Sequence, residues 1–179
     1  DLLLLDGLMK EASLKAASIA RRLNIPVMLD AGKVRDGMIE LARLSDYIVA
    51  GEEFARGLKQ SPREALSFLS ASNTKAVTVT LGKKGSVTWQ NGKIFSQKAF
   101  RIRPVDTTGA GDVFHGGYIY GVLQKWDIRR TVEFASATFQ AWEGTTATVT
   151  VRLSGPAAVP QTVAYSTSNG TAVAPGDYV

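Results

Sequence analysis

The chain contains no cysteine, so it can build neither a disulfide framework nor a thiolate metal site. That composition is compatible with a reducing compartment. Histidine occurs once, at position 115, which excludes a zinc centre made of several imidazoles. Long apolar runs are also missing: none approaches the roughly 18 residues of a membrane span. The opening "DLLLLDG" is too short for one, and no basic segment precedes it as a signal peptide requires. Like charges never gather in blocks of five or six, and the net charge of +5 is spread over the chain. Such a pattern reads as a mixed solvated surface rather than a nucleic-acid face. Neither a nucleic acid nor a membrane is therefore expected as a partner.

What the chain does have is alternation. Residues 2–5 are four successive leucines, as in a strand covered on both faces. Residues 10–23 are rich in helix formers and end in basic residues, which suit a helix C-terminus. "IPVMLDAG" reads as a second buried strand with Asp30 at its end, "GMIELARLS" as a helix, and "DYIVAGEEF" as a strand running into a helix. "SPREAL" opens as a capping box, with Ser61 as N-cap, Pro62 at the first helical position and Glu64 three after the cap. "KAVTVTLGKKGSVTWQNGKIF" reads as three strands separated by turns at Gly82, Gly85 and Asn91-Gly92. Two further helices follow, "AGDVFHGGYIYGVLQKW" and "DIRRTVEFASATFQAW". Strand–helix alternation to about residue 140 predicts an α/β unit: a parallel sheet with helices on both faces, binding its ligands beyond the carboxyl ends of the strands. Asp1 falls in the middle of what reads as a strand, so the beginning of the domain is expected to be missing.

Composition changes near residues 139–144. From 141 to 179 only Glu143, Arg152 and Asp177 are charged. "TATVTVRL" alternates cleanly, with Ala147, Val149, Val151 and Leu153 on one face and Thr146, Thr148, Thr150 and Arg152 on the other. These are features of a short all-β segment. The expected division is residues 1–140 and 141–179, with no Pro/Gly/Ser linker between them.

The chemistry gathers in "PVDTTGAGDVFHGG", residues 104–117. Close glycines before a helix let backbone N–H groups converge, and the helix dipole adds partial positive charge there. Such a nest binds phosphate or a developing anion. Asp112, in the first helical turn, then stands where a carboxylate can take the proton of an attacking alcohol. A flexible loop with a capping aspartate is the plainer alternative. His115 is read as a packed histidine rather than a substrate contact, and Tyr118, Tyr120 and Trp126 as packing residues.

The run Asp106-Thr107-Thr108-Gly109-Ala110-Gly111-Asp112 resembles the second signature of the ribokinase-like, or phosphofructokinase-B (PfkB) type, carbohydrate kinases. The resemblance covers about residues 1–138 and includes "LDAG", "TLGKKGS" and "GVLQKWDIRRTVEFASAT". It implies that Asp112 is the general base. It also implies that the N–H groups of Gly109, Ala110, Gly111 and Asp112 form the anion hole, and that Thr80, Gly82 and Gly85 pass beside the nucleotide. Asp106 and Thr108 would lie at a monovalent-cation site, with K⁺ as the candidate ion. ATP with Mg²⁺ would be the donor, a sugar or related small molecule the acceptor, and the cytoplasm the location. One departure stands out: the family's Asn-x-x-Glu motif is replaced, with Gly51 at the Asn position and Phe54 at the Glu position. Glu52 or Glu53 would have to substitute by a shift, or they simply favour a helix N-terminus. The family's sugar-recognition elements lie in a preceding half that this sequence does not include, so impaired transfer is expected.

The tail, about residues 143–179, resembles the first half of a Calx-beta domain, a calcium-binding sandwich module frequent in surface proteins. That leaves its location unresolved. The match rests on the leading Glu-Gly, the Ser-Asn-Gly-Thr-Ala turn and the closing Gly-Asp-Tyr. It implies calcium contacts from Glu143 and Asp177. Two carboxylates fall well short of the six to eight oxygens calcium takes, so no bound Ca²⁺ is expected. Three readings stay open: a carbohydrate kinase or a piece of one; a nucleotide- or calcium-binding module without turnover; and a structural chimera that self-associates through unpaired strands.

Overall fold

A computed structural model of the chain describes residues 1–70, 74–100 and 109–138. The expectations for the tail, for the boundary near residue 140, and for Asp106, Thr108, Glu143 and Asp177 fall outside those residues. Among the described residues, six strands and six α-helices follow the alternation in the sequence. They are β1 (Leu3–Leu5), α1 (Lys10–Arg22), β2 (Val27–Ala31), α2 (Met38–Arg43), β3 (Tyr47–Gly51), α3 (Glu52–Gly57), α4 (Pro62–Leu69), β4 (Ala76–Thr80), β5 (Ser86–Gln90), β6 (Lys93–Gln97), α5 (Ala110–Leu123) and α6 (Ile128–Ala137). The strands form one sheet in the order β1-β2-β3-β4-β5-β6.

The first four strands are parallel. The expectation of a parallel sheet needs correction beyond them, because β5 pairs antiparallel with β4 and β6 antiparallel with β5. The reason is connection length. A parallel return needs a crossover of a dozen residues or more. Only a one-turn 3₁₀ helix, Gly82–Lys84, joins β4 to β5, and Asn91-Gly92 joins β5 to β6. Both Asn91 and Gly92 have positive φ, as a tight hairpin turn with the right-handed strand twist demands.

Side-chain alternation along the strands divides the core in two. Val27, Leu29 and Ala31 of β2, Ile48 and Ala50 of β3, and Val77 and Val79 of β4 point to one face. There they pack with Ala17, Met38, Leu41, Phe54 and Leu66 from α1 to α4. Met28, Val49 and Ala76 point to the other face and meet Tyr118, Val132 and Ala135 of α5 and α6. Helices on both faces thus match the expectation. The capping box at α4 forms as read: Glu64 N donates to Ser61 Oγ at 3.3 Å, and Ser61 N donates to Glu64 Oε2 at 2.7 Å.

Helices α5 and α6 lie close together because α5 is smooth on one side. A Cβ on Gly117 would stand 2.9 Å from Ala135 Cα, and one on Gly121 would stand 2.7 Å from Thr131 Oγ1. On the side of α5 turned to the sheet, Tyr118 is fully buried. Its ring meets Tyr47 edge-on, with centroids 6.4 Å apart. Its hydroxyl has no hydrogen-bond partner among the described residues, and burial pushes its pKa far above the ordinary phenol value. Burial also raises that of Tyr47.

The sign of the pH effect follows from these raised values. Below the ordinary phenol pKa near 10 both states hold their protons, and stability does not depend on these groups. Above it the unfolded chain releases protons that the fold retains, so stability falls as pH rises. Denaturant unfolding between pH 7 and pH 11 is expected to show this decline, and Tyr118→Phe is expected to flatten it. At pH 7 the same change should alter stability by less than about 1 kcal/mol, since the lost hydroxyl leaves no partner behind.

Candidate functional site

The parallel register brings the carboxyl ends of β2, β3 and β4 to one edge: Ala31 pairs with Ala50, and Gly51 with Thr80. Helix α5 runs the opposite way across the second face. Its Tyr118 lies over Tyr47 at the start of β3, and His115, one turn nearer the helix N-terminus, lies beside Asp30 near the end of β2. The start of α5 therefore meets the strand ends, where ligands of such sheets bind.

The described part of the turn that opens α5 begins at Gly109. Gly109 is the N-cap with φ +74°, ψ 0° and no side-chain cap. That left-handed backbone is accessible to glycine at little cost. Val113 N donates to Gly109 O at 2.9 Å. The N–H groups before it have no acceptor within the helix. They sit at the positive end of a 14-residue helix. Asp112 is exposed in this first turn, so its carboxylate is open to a bound molecule.

Three residues were expected beside a nucleotide. Thr80 ends β4 half-buried, and its hydroxyl donates to the Ala50 carbonyl at 3.3 Å. The turn after it is closed by Leu81 N donating to Gly85 O at 2.7 Å and Gly85 N donating to Gly82 O at 2.9 Å. Gly85 has φ +96°, and a Cβ there would overlap the Gln97 carbonyl oxygen and stand 2.6 Å from Ala99 N. This turn is thus pressed against the backbone leaving β6, and its shape depends on the missing side chain.

The departure at residues 51–54 has a structural counterpart. Gly51 is the N-cap of α3, and Glu52 and Glu53 occupy its first turn. Phe54 is fully buried in the first core. The position where the resemblance expects a carboxylate therefore holds a core aromatic. Glu53 lies 3.5 Å from Lys33, with both side chains more than half exposed. Among the described residues no group of three or more His, Asp or Glu is arranged to hold a metal ion, and no helix is long and apolar enough to cross a membrane.

Two features of the site were not legible beforehand. His115 is buried as expected of a packed residue, but its Nδ1 lies 2.7 Å from the Gly111 carbonyl oxygen and its Nε2 lies 3.6 Å from Asp30 Oδ1. Asp30 was read only as a strand end; a carboxylate at the carboxyl end of a buried strand was the available signal. The pairing itself joins residues far apart in sequence. Tyr120, Trp126 and Phe134 pack together, with centroids 5.3–5.5 Å apart.

The sequence pattern of the pfkB family carbohydrate kinases matches residues 2–142. The chain is 31% identical over 129 residues to a ribokinase of Haemophilus influenzae, covering 68% of this chain and 42% of that protein. It is 29% identical over 148 residues to a 5-dehydro-2-deoxygluconokinase of Clostridium botulinum, covering 72% and 43%. Among solved structures, Arabidopsis thaliana ribokinase complexed with ribose and ATP superposes with a TM-score of 0.68 at 26% identity, covering 76% of this chain and 47% of that one. Thermotoga maritima ribokinase superposes with a TM-score of 0.67 at 25% identity, covering 76% and 47%. The chain thus spans less than half the length of these relatives.

Gly85→Ala is expected to lower stability by about 1–3 kcal/mol, because the added methyl must displace backbone rather than a side chain. Chemical denaturation checks this. Gly82→Ala, where a Cβ meets nothing within 4 Å, should cost only the positive-φ penalty, on the order of 1 kcal/mol.

Proposed function

Because the chain belongs to the pfkB family of carbohydrate kinases, we propose that it carries the phosphoryl-transfer half of an ATP-dependent sugar kinase site. The observation that carries this reading is the first turn of α5. An exposed Asp112 stands beside the free N–H groups of a glycine-capped helix, at the carboxyl edge of the sheet. In this reading Asp112 accepts the proton of the acceptor hydroxyl as its oxygen attacks the γ-phosphorus of ATP, and the bond to the ADP oxygen breaks. The N–H groups of Gly109 to Asp112 stabilise the charge on the moving phosphoryl group. The turn carrying Thr80, Gly82 and Gly85 flanks the nucleotide. Magnesium would supply charge neutralisation on the phosphates. A site without clustered carboxylates suits an ion held mainly by phosphate oxygens and water. Asp106 and Thr108 are proposed at a K⁺ site.

The acceptor is proposed to be a sugar or a related small molecule bearing a hydroxyl, and the cytoplasm is the proposed location. Transfer by this chain alone is proposed to be slow, since the reaction depends on positioning both partners. A second reading, nucleotide binding without turnover, is favoured by Phe54, which fills the first core where the resemblance calls for a carboxylate. For the tail, the Calx-beta resemblance is kept as a proposal without bound calcium.

The test is ATP turnover with Mg²⁺ and K⁺ against a panel of sugars, with Asp112→Asn in parallel. Turnover that falls by about 10²–10⁴-fold in the variant is expected for a lost general base. Nucleotide-induced stabilisation without turnover in either protein would select the second reading.

A further inference from the structure

We propose that the molecule carries a second ligand site, at the end of the sheet opposite the candidate site, which takes a small organic anion: one phosphate or carboxylate group on a short hydroxylated carbon body. The inference does not depend on the reading of α5. The hairpin joining β5 to β6 turns level with the start of β4, since Val77 pairs with Trp89 and Gln90 with Lys93. The carboxyl ends of β2, β3 and β4 lie at the other end of the sheet. The first turn of α6 meets the hairpin, with the Arg129 guanidinium 4.4 Å from the centroid of the Phe95 ring. At their junction is an open cavity of about 650 Å³, lined by Gln90, Asn91, Lys93, Ile94, Phe95 and Arg129. Small-molecule sites occupy roughly 300–1,000 Å³.

The lining sets the sign of the ligand. Lys93 and Arg129 make no ion pair with a carboxylate among the described residues. The one acid on the lining is Asp127, and its Oδ1 already accepts the Arg130 N–H at 3.0 Å as the cap of α6. Stacking on Phe95 orders the Arg129 guanidinium and leaves its in-plane N–H donors unspent, the geometry that matches a phosphate or a carboxylate. The positive end of α6, a ten-residue helix, adds to the same potential. Ile94 and Phe95 give the cavity an apolar wall, and the amides of Gln90 and Asn91 can bond hydroxyls. A neutral ligand would leave the two cations without a counter-charge, and a cationic one would be repelled.

Amide NMR of the chain, titrated with glucose 6-phosphate, inorganic phosphate, acetate and neutral glucose, tests the site. Saturable shifts at Asn91, Gly92, Lys93 and Arg129 are expected with the anions and not with glucose, at dissociation constants on the order of millimolar. Binding is expected to weaken several-fold as salt rises from about 0.05 M to about 0.3 M, since the cations are exposed. Lys93→Gln combined with Arg129→Gln, two surface changes that leave the core intact, is expected to lower affinity by ~10-fold or more. Tighter binding of the phosphates than of acetate assigns the anion as a phosphate, and the reverse order as a carboxylate. No saturable shift at these residues with any anion, equal shifts with glucose, or unchanged affinity in the double variant overturns the proposal. Shifts at Ala110 to Val113 report the α5 turn, so phosphate bound there is read apart from phosphate bound here.

Discussion

Everything at the candidate site depends on how α5 is seated on the second face of the sheet. Along its length Tyr118 packs edge-on against Tyr47, and His115 lies beside Asp30. These contacts fix both its depth and its direction. Its N-terminus is thereby delivered to the edge where β2, β3 and β4 end. A helix dipole acts over only its first turn. A nest of N–H groups is useful only if that turn is placed to within a fraction of the size of its ligand. The smooth side formed by Gly117 and Gly121 lets α6 press in from behind and close the second core.

The sequence was informative wherever the determining physics is local. Buried strands appear as apolar runs, a cap as Ser61 before α4, and turns as glycines with positive φ. The site turn was legible for the same reason, since Gly109 to Asp112 is contiguous. The antiparallel direction of β5 and β6 was implicit in their short connections, yet the general α/β pattern pointed the other way. Two facts needed the fold itself. Phe54 occupies a motif position but is fully buried against the first core. His115 and Asp30 meet only because α5 returns across the sheet.

The site edge carries exposed charge of both signs. Lys33, Glu53, Lys83, Lys84 and Asp112 are all exposed there, on the connections that follow the strands or on the helix starts. Buried polar groups sit deeper: Thr78 and Thr88 pair with each other at 3.0 Å across β4 and β5. The contrast suits a scaffold whose interior is fixed by packing while its rim stays open to charged small molecules.

The strand order has a consequence for how the chain folds. Each strand is hydrogen-bonded to its neighbours in sequence, so every strand pairing closes a connection that is local compared with the return of α5 and α6. Short closures are the fast ones. The α5–α6 pair is different, because it must travel back from the far end of the described chain to cover β2 and β3. The second core is therefore completed by the most distant pairings of the described chain, and the N-terminal end of α5 is seated only when they form.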